Sequence, residues 1–241
     1  MTSAEPRAPS MRRGNYLTIA GLTALIALAG FWPSYFGQIL PGTLAQPPYI
    51  HLHAVVFSGW LALVITQAWF AASGRLALHK RIGPLIFLYG VLLVLVGWIT
   101  AALAFRENVQ AGNLTAASVG LFVPFTDLLF FLPVLFAAWA YRQKPEIHKR
   151  LIIVATCILL IPAAHRFVGA YIGRPPPLAP VLMVWLSPIV LGLAYDLMLR
   201  RVVHPVYLMG IAIVLAMKFR PPLHKTEAWQ GFVAWFASVL T

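Results

Sequence analysis

Long apolar runs separated by short polar breaks dominate the hydrophobic pattern of the chain. A helix needs about 20 mostly apolar residues to cross the hydrocarbon core of a bilayer, which is about 30 Å thick. The runs that meet or approach this length are residues 16–40, 49–72, 82–105, 119–141, 151–172, 181–199 and 202–219. The pattern predicts an all-α polytopic membrane helix bundle with about seven transmembrane helices.

The last of these runs, 202–219, spans a bilayer only if Lys218 extends its charge to the interface. Six spans therefore remain an alternative. The tail that follows has Trp229, Phe232 and Trp235 at helical spacing, which predicts an amphipathic interfacial helix. We divide the chain into a cytoplasmic tail (1–15), a transmembrane bundle (16–219) and an amphipathic C-terminal segment (220–241).

Composition agrees with a membrane protein. Hydrophobic residues make up 61% of the chain and charged residues only 10%, whereas a soluble domain has about 25% charged residues. This excludes a water-soluble enzyme. The single cysteine, Cys157, lies in an apolar run, so a disulfide framework and a thiolate zinc site are excluded as well.

The 18 lysines and arginines outnumber the 6 acidic residues, but they lie between apolar runs rather than on one soluble face. We therefore predict membrane lipids, and no nucleic acid, as partners. With the N-terminus inside, 12 bases are cytoplasmic and 6 are not, which the positive-inside rule favours. A re-entrant seventh segment would make the split 15 to 3, so the side of the C-terminus stays open. The expected location is the bacterial plasma membrane.

A short motif occurs twice. Residues 78–82 read Leu-His-Lys-Arg-Ile and residues 147–151 read Ile-His-Lys-Arg-Leu, at a spacing of 69 residues. Each copy closes a predicted helix hairpin on the inner side, so the second and third spans are candidates for parallel two-helix repeats of the fourth and fifth. The alternative is that both copies are simply basic loops.

Four potential metal ligands fall in one slab near the predicted outer face: His51, His53, Asp127 and His165. Imidazoles with a carboxylate suit iron, copper or zinc, and imidazole pairs also bind haem b. On a helix, His51 and His53 point about 200° apart. Both could hold one ion only if this stretch is extended, which Pro47 favours.

Other interpretations of these residues remain. The two histidines resemble interfacial residues beside Tyr49. Asp127 could pair with Arg166 in a buried ion pair without metal, or form a proton or ion relay with His165 and Arg166 in a carrier or channel. Arg166 and Tyr49 are also candidates for orienting or relaying groups around a metal. Pro162 predicts a kink one turn before His165.

A second polar cluster is predicted on the inner side, formed by His79, His148, His204 and Asp196. The two repeat-related histidines could bind haem or contact anionic headgroups. Asp196 and Arg200 are spaced i, i+4 and could pair locally, in which case the cluster is solvated surface.

The motifs His51-x-His53, Leu78-His79-Lys80-Arg81-Ile82-Gly83 and His148-Lys149-Arg150-Leu151 resemble those of uncharacterised bacterial multi-pass membrane proteins. More distantly, the hairpin with His-Lys-Arg at its turn is similar to small membrane proteins that assist assembly of haem-copper oxidases. The resemblance implies a metal or haem context for His53, His79 and His148.

Three functions follow as hypotheses. The first is a membrane metalloprotein that uses the outer ligands for redox or metal-assisted chemistry on a small or lipid-like molecule, as in a metal-dependent oxidoreductase. The second is an ion- or proton-coupled carrier. The third is an assembly or accessory subunit, with a respiratory complex or a second copy of the chain as partner.

Overall fold

The computed structural model describes residues 13–240, so most of the predicted tail 1–15 lies outside the described residues. The described chain is helical and contains no strand. Its main helices are α1 Arg13–Phe31, α2 Pro48–Ala72, α3 Leu76–Gln110, α4 Leu114–Ala140, α5 Pro145–Ile158, α6 Ile161–Tyr171, α7 Leu178–Arg200, α8 Pro205–Phe219 and α9 Glu227–Leu240. A π-helical turn, Trp32–Phe36, extends α1 towards Ile39.

The polytopic membrane bundle predicted from hydropathy is confirmed. Six helices of the described chain are long and apolar enough to cross a membrane, and counting the bent pair α5–α6 as one span gives seven. The seventh predicted segment qualifies by itself over Pro205–Lys225. The interrupted span is instead the fifth, where the helix axis bends by 53°.

Successive spans alternate in direction, so the bundle has two ends of different character. The turns between α2 and α3, α4 and α5, and α7 and α8 lie at one end, which we call the basic end. It carries most of the lysines and arginines of the described chain, and the positive-inside rule predicts that it faces the cytoplasm. The opposite end carries the α1–α2 and α3–α4 connections and α9.

The bend between α5 and α6 lies where the sequence predicts a kink. Pro162 has no N–H to donate to the preceding turn, and α5 ends at Ile158. Trp185 of α7 partly compensates for the break, because its indole N–H donates to the carbonyl of Cys157 at 2.8 Å. The Cys157 thiol in turn donates to the carbonyl of Trp185 at 3.0 Å. These reciprocal bonds fasten α7 to the break.

The C-terminal helix α9 packs on the bundle through one face. Val233 is buried against α3 and α4, in a small apolar cluster with Phe105 and Leu121. The indole N–H of Trp229 donates to Ser118 Oγ at 3.1 Å. The opposite face exposes Trp235. The helix and its amphipathic character are confirmed, while its position at the membrane interface stays a prediction.

Small residues allow the first span to approach the bent one closely. A Cβ built on Gly30 of α1 would overlap the backbone carbonyl of Ala163 in α6. The Tyr171 hydroxyl donates to the carbonyl of Ala29 at 3.2 Å and adds a polar contact between the same helices. In lipid, such close backbone packing replaces the hydrophobic effect as a source of helix association.

This contact predicts unequal effects of alanine at two glycines of α1. Gly30→Ala should lower the free energy of unfolding by about 1–3 kcal/mol, because α1 and α6 must move apart. The matched control is Gly21→Ala, since its Cβ meets no atom within 4 Å. That variant should be neutral or more stable by up to about 1 kcal/mol. Denaturant titration in mild detergent measures both, and equal losses would contradict the packing.

Candidate functional site

The predicted outer histidines both lie on a regular helix. Pro47 is extended, with ψ 154°, but α2 begins directly after it at Pro48. The alternative of an extended His51–His53 stretch is therefore wrong. The Tyr35 hydroxyl lies 2.8 Å from His51 Nδ1, and the His53 ring stacks on Phe57 with centroids 4.0 Å apart. The two imidazoles have separate surroundings.

Asp127 forms a buried ion pair with Arg220, which follows α8 in the chain. The pairing with Arg166 considered from the sequence is wrong. Arg220 also donates from Nε to Thr126 Oγ1 at 2.7 Å and from Nη2 to the Val123 carbonyl at 3.1 Å. The Arg220 guanidinium thus anchors the end of the last span to α4. The Asp127 carboxylate is one of its partners in this contact.

The remaining outer candidates do not complete a metal site either. The Tyr49 hydroxyl donates to Glu107 Oε2 at 2.5 Å. His165 and Arg166, together with Arg174, border a cavity at the end of the bundle that lies opposite to the basic end. Within the part of the chain that the structure describes, no group of three or more His, Cys, Asp or Glu side chains could hold a metal ion. The four-ligand outer site is therefore not assembled there.

The basic end contains the most deeply buried charged side chains of the described residues. Arg150 of α5 and Asp196 of α7 are each 0% exposed. The guanidinium donates to both carboxylate oxygens, from Nε to Oδ2 at 2.8 Å and from Nη2 to Oδ1 at 2.5 Å. The predicted local pair of Asp196 with Arg200 is wrong, because Asp196 neutralises a charge on another helix.

Glu146 contacts Arg150 of this pair and connects it to two further cations, Lys149 and Arg200. Its carboxylate oxygens lie 2.7 Å from Lys149 Nζ, 3.0 Å from Arg150 Nη1 and 2.7 Å from Arg200 Nη2. Sequence reasoning missed both Glu146 and Arg150 as members of the inner cluster. The spacing of Glu146 and Arg150, four residues apart at the start of a helix, was the available signal.

His204 has a local structural role at this end. It precedes α8, and its Nδ1 accepts the backbone N–H of Val206 at 3.3 Å. Burial, followed by the nearby charge of Arg150, lowers the pKa of His204. The ring is thus held neutral, as an acceptor of that bond requires, and His204 is an N-cap rather than a member of the histidine pair described next.

His79 and His148 are the two predicted site histidines that the structure brings together. Their ring centroids lie 6.3 Å apart and the ring planes are nearly perpendicular, at 85°. His79 Nδ1 lies 3.3 Å from the carbonyl of Gln67, and His148 Nδ1 lies 2.8 Å from that of Ala138. A carbonyl only accepts, so each Nδ1 must be the protonated nitrogen. In the neutral form of each ring, Nε2 then carries a lone pair.

Gln67 is a further polar group at this site that the sequence did not single out as a ligand. Its backbone holds His79, while its side-chain Oε1 and Nε2 are buried without a hydrogen-bond partner among the described residues. Buried amides normally have hydrogen-bond partners.

The positions of His79 and His148 also fit the repeat. Each ring bonds a carbonyl in the preceding helix of its own hairpin.

Comparison of the chain with protein-family models, with curated proteins and with solved structures finds no match. The resemblance noted in the motifs therefore stays a prediction. Function has to be argued from the site itself.

The buried pair at the basic end predicts a large difference between two acidic residues. Asp196→Asn leaves the buried Arg150 charge with only the partly exposed Glu146 as counter-ion, which should cost up to about 3–5 kcal/mol of unfolding free energy. Glu146→Gln is the control, because the Glu146 side chain is 39% exposed and its ion pairs should contribute no more than about 1 kcal/mol. Detergent-based denaturation measures both.

The double variant Arg150→Leu/Asp196→Leu removes both charges and should recover most of the loss of Asp196→Asn. Equal losses in Asp196→Asn and Glu146→Gln, or no recovery in the double variant, would contradict the assignment.

Proposed function

We propose that this integral membrane protein binds a transition-metal ion through the Nε2 atoms of His79 and His148, at the basic end of the bundle. The single observation that carries the proposal is the anchoring of both Nδ1 groups on backbone carbonyls, beside each other. The proposal keeps the metalloprotein hypothesis, but it assigns the metal to the inner histidine pair instead of the outer residues.

The anchoring matters because a metal-binding histidine usually donates its other ring N–H to a carbonyl or carboxylate. That bond selects the tautomer and fixes the ring before the ion arrives. Here it occurs twice, on rings whose centroids are 6.3 Å apart. Since neither Nε2 receives a hydrogen bond from the described residues, two lone pairs remain for an electrophile.

The donor set favours a borderline metal. Two neutral imidazoles suit copper, zinc or iron, and the Gln67 amide oxygen is a candidate third ligand. No thiolate contributes, because Cys157 is buried and bonded to Trp185. For a nitrogen-rich site, affinity among divalent ions peaks at copper. We therefore expect Cu²⁺ to bind more tightly than Zn²⁺.

Two or three protein ligands leave coordination positions open, as in catalytic rather than structural sites. An ion bound there would supply redox or Lewis-acid chemistry to a small or lipid-like molecule. The residues of this chain would hold the ion and keep its ligands oriented. The carrier hypothesis gains no support from Asp127, because that carboxylate pairs with Arg220 and not with His165 or Arg166.

Metal titration of the purified full chain, carrying a tag without histidine, tests the proposal. Isothermal titration calorimetry in neutral detergent should show one Cu²⁺ per chain and weaker binding of Zn²⁺. His79→Ala and His148→Ala should each lower the affinity by more than about tenfold, which is the lower range of losses for removing even an outer partner of a ligand.

His51→Ala and His53→Ala are the matched controls and should leave metal binding unchanged, because their rings lie apart from the pair. The absence of stoichiometric binding would overturn the proposal. So would equal losses in all four variants. A Soret band of the wild-type protein that disappears in His148→Ala would show that the site binds haem b instead of a metal ion.

A further inference from the structure

A cavity at the opposite end of the bundle has an electrostatic character of its own. It is an open cavity of about 400 Å³ between the π-helical turn after α1, the helix α6 and the loop that follows α6. This volume is within the range of small-molecule sites, about 300–1,000 Å³. Prolines 33, 175 and 176 form apolar parts of its wall.

The polar part of the wall is basic. His165, Arg166 and Arg174 line the cavity with the Ser34 hydroxyl, and no carboxylate is among its lining residues. Lys218 and His53 lie close enough to interact electrostatically with His165 and Arg166, respectively. Two of the three acidic groups of the same end are committed elsewhere, with Asp127 on Arg220 and Glu107 accepting from Tyr49, and the third, Glu227, is not among the residues that line the cavity.

Each arginine donates one hydrogen bond to a backbone carbonyl and keeps most of its donors free. Arg166 Nη1 donates to the Pro162 carbonyl at 3.3 Å, and its guanidinium lies 4.7 Å from the Phe31 ring centroid. Arg174 Nε donates to the Gly169 carbonyl at 2.9 Å. A guanidinium has five N–H donors. Neither arginine forms an ion pair within the described chain.

Arg166 on α6 and Arg174 in the loop that follows it are both exposed, so their free donors are accessible to an anion that enters the cavity. Arginine matches the geometry of phosphate and carboxylate with two parallel hydrogen bonds. The number of cations here favours the more highly charged of these groups. We propose that the cavity between α1 and α6 binds a phosphate group, carried by an anionic lipid headgroup or by a small soluble phosphate ester.

The proposal is independent of the metal site, because no residue of this cavity belongs to the histidine pair at the basic end. The break between α5 and α6 contributes by letting α6 depart from the axis of α5, with a bend of 53°. The close contact of Gly30 with Ala163 then brings the end of α1 against α6, so that both helices border the cavity.

Binding of defined phosphates to the full chain tests this inference. The probes are short-chain phosphatidylglycerol, glycerol phosphate and inorganic phosphate, with short-chain phosphatidylcholine as the zwitterionic comparison. Thermal stability in neutral detergent gives the affinity, and native mass spectrometry gives the stoichiometry. One saturable site is expected, with an affinity for phosphatidylglycerol at least about tenfold above that for phosphatidylcholine.

Arg166→Gln and Arg174→Gln should each weaken binding by at least about tenfold. Arg106→Gln removes the same charge from an exposed arginine that does not line the cavity, and it should leave binding unchanged. Ala170→Trp keeps both arginines but fills the cavity from its wall, and it should also abolish binding. This variant keeps the test valid if an arginine variant does not fold.

Saturable binding of the lipid alone assigns the site to a membrane headgroup, and binding of all three phosphates assigns it to the phosphate group itself. Both outcomes support the proposal. Failure of every probe to bind the wild-type chain would overturn it. An equal loss in Arg106→Gln would also overturn it, since the attraction would then come from the net charge of the surface.

Discussion

The buried ion pair between Arg150 and Asp196 is the interaction on which the basic end depends. Neither side chain is exposed, and lipid supplies no water to stabilise a separated charge. The bidentate geometry fixes the rotation of α5 against α7. His148 lies two residues before Arg150 on the same helix, so the pair also determines where that imidazole stands relative to His79.

The two ends of the bundle differ in how their charged side chains are paired. At the basic end, Glu146 and Asp196 neutralise the cations that lie deepest in the described protein, and the rings of His79 and His148 are oriented by bonds to carbonyls. At the opposite end, Arg220 is paired, whereas Arg166 and Arg174 face a cavity without a carboxylate in its wall. The site that we propose for a metal ion and the site that we propose for a phosphate group thus lie at opposite ends of one fold.

Hydropathy predicted the spans well, because the length and apolarity of a membrane helix are local properties. Pro162 likewise predicted the break in the fifth span. The repeated His-Lys-Arg motif indicated His79 and His148 as candidate site residues. The partners of the buried charges were not predictable. Asp127 and Arg220 are 93 residues apart, and only the packing of the turn after α8, Pro221–Lys225, against α4 brings them together. The four-ligand outer site was proposed from depth alone, which does not specify the direction of a side chain on its helix.

Electron paramagnetic resonance of the Cu²⁺-loaded protein tests the central claim most directly, because the copper spectrum records the nitrogen atoms bound to the ion. We expect a splitting pattern from two imidazole nitrogens in the wild-type chain, and from one in the His79→Ala and His148→Ala variants. A wild-type pattern that is unchanged in both variants, or that is altered by His53→Ala instead, would contradict the account.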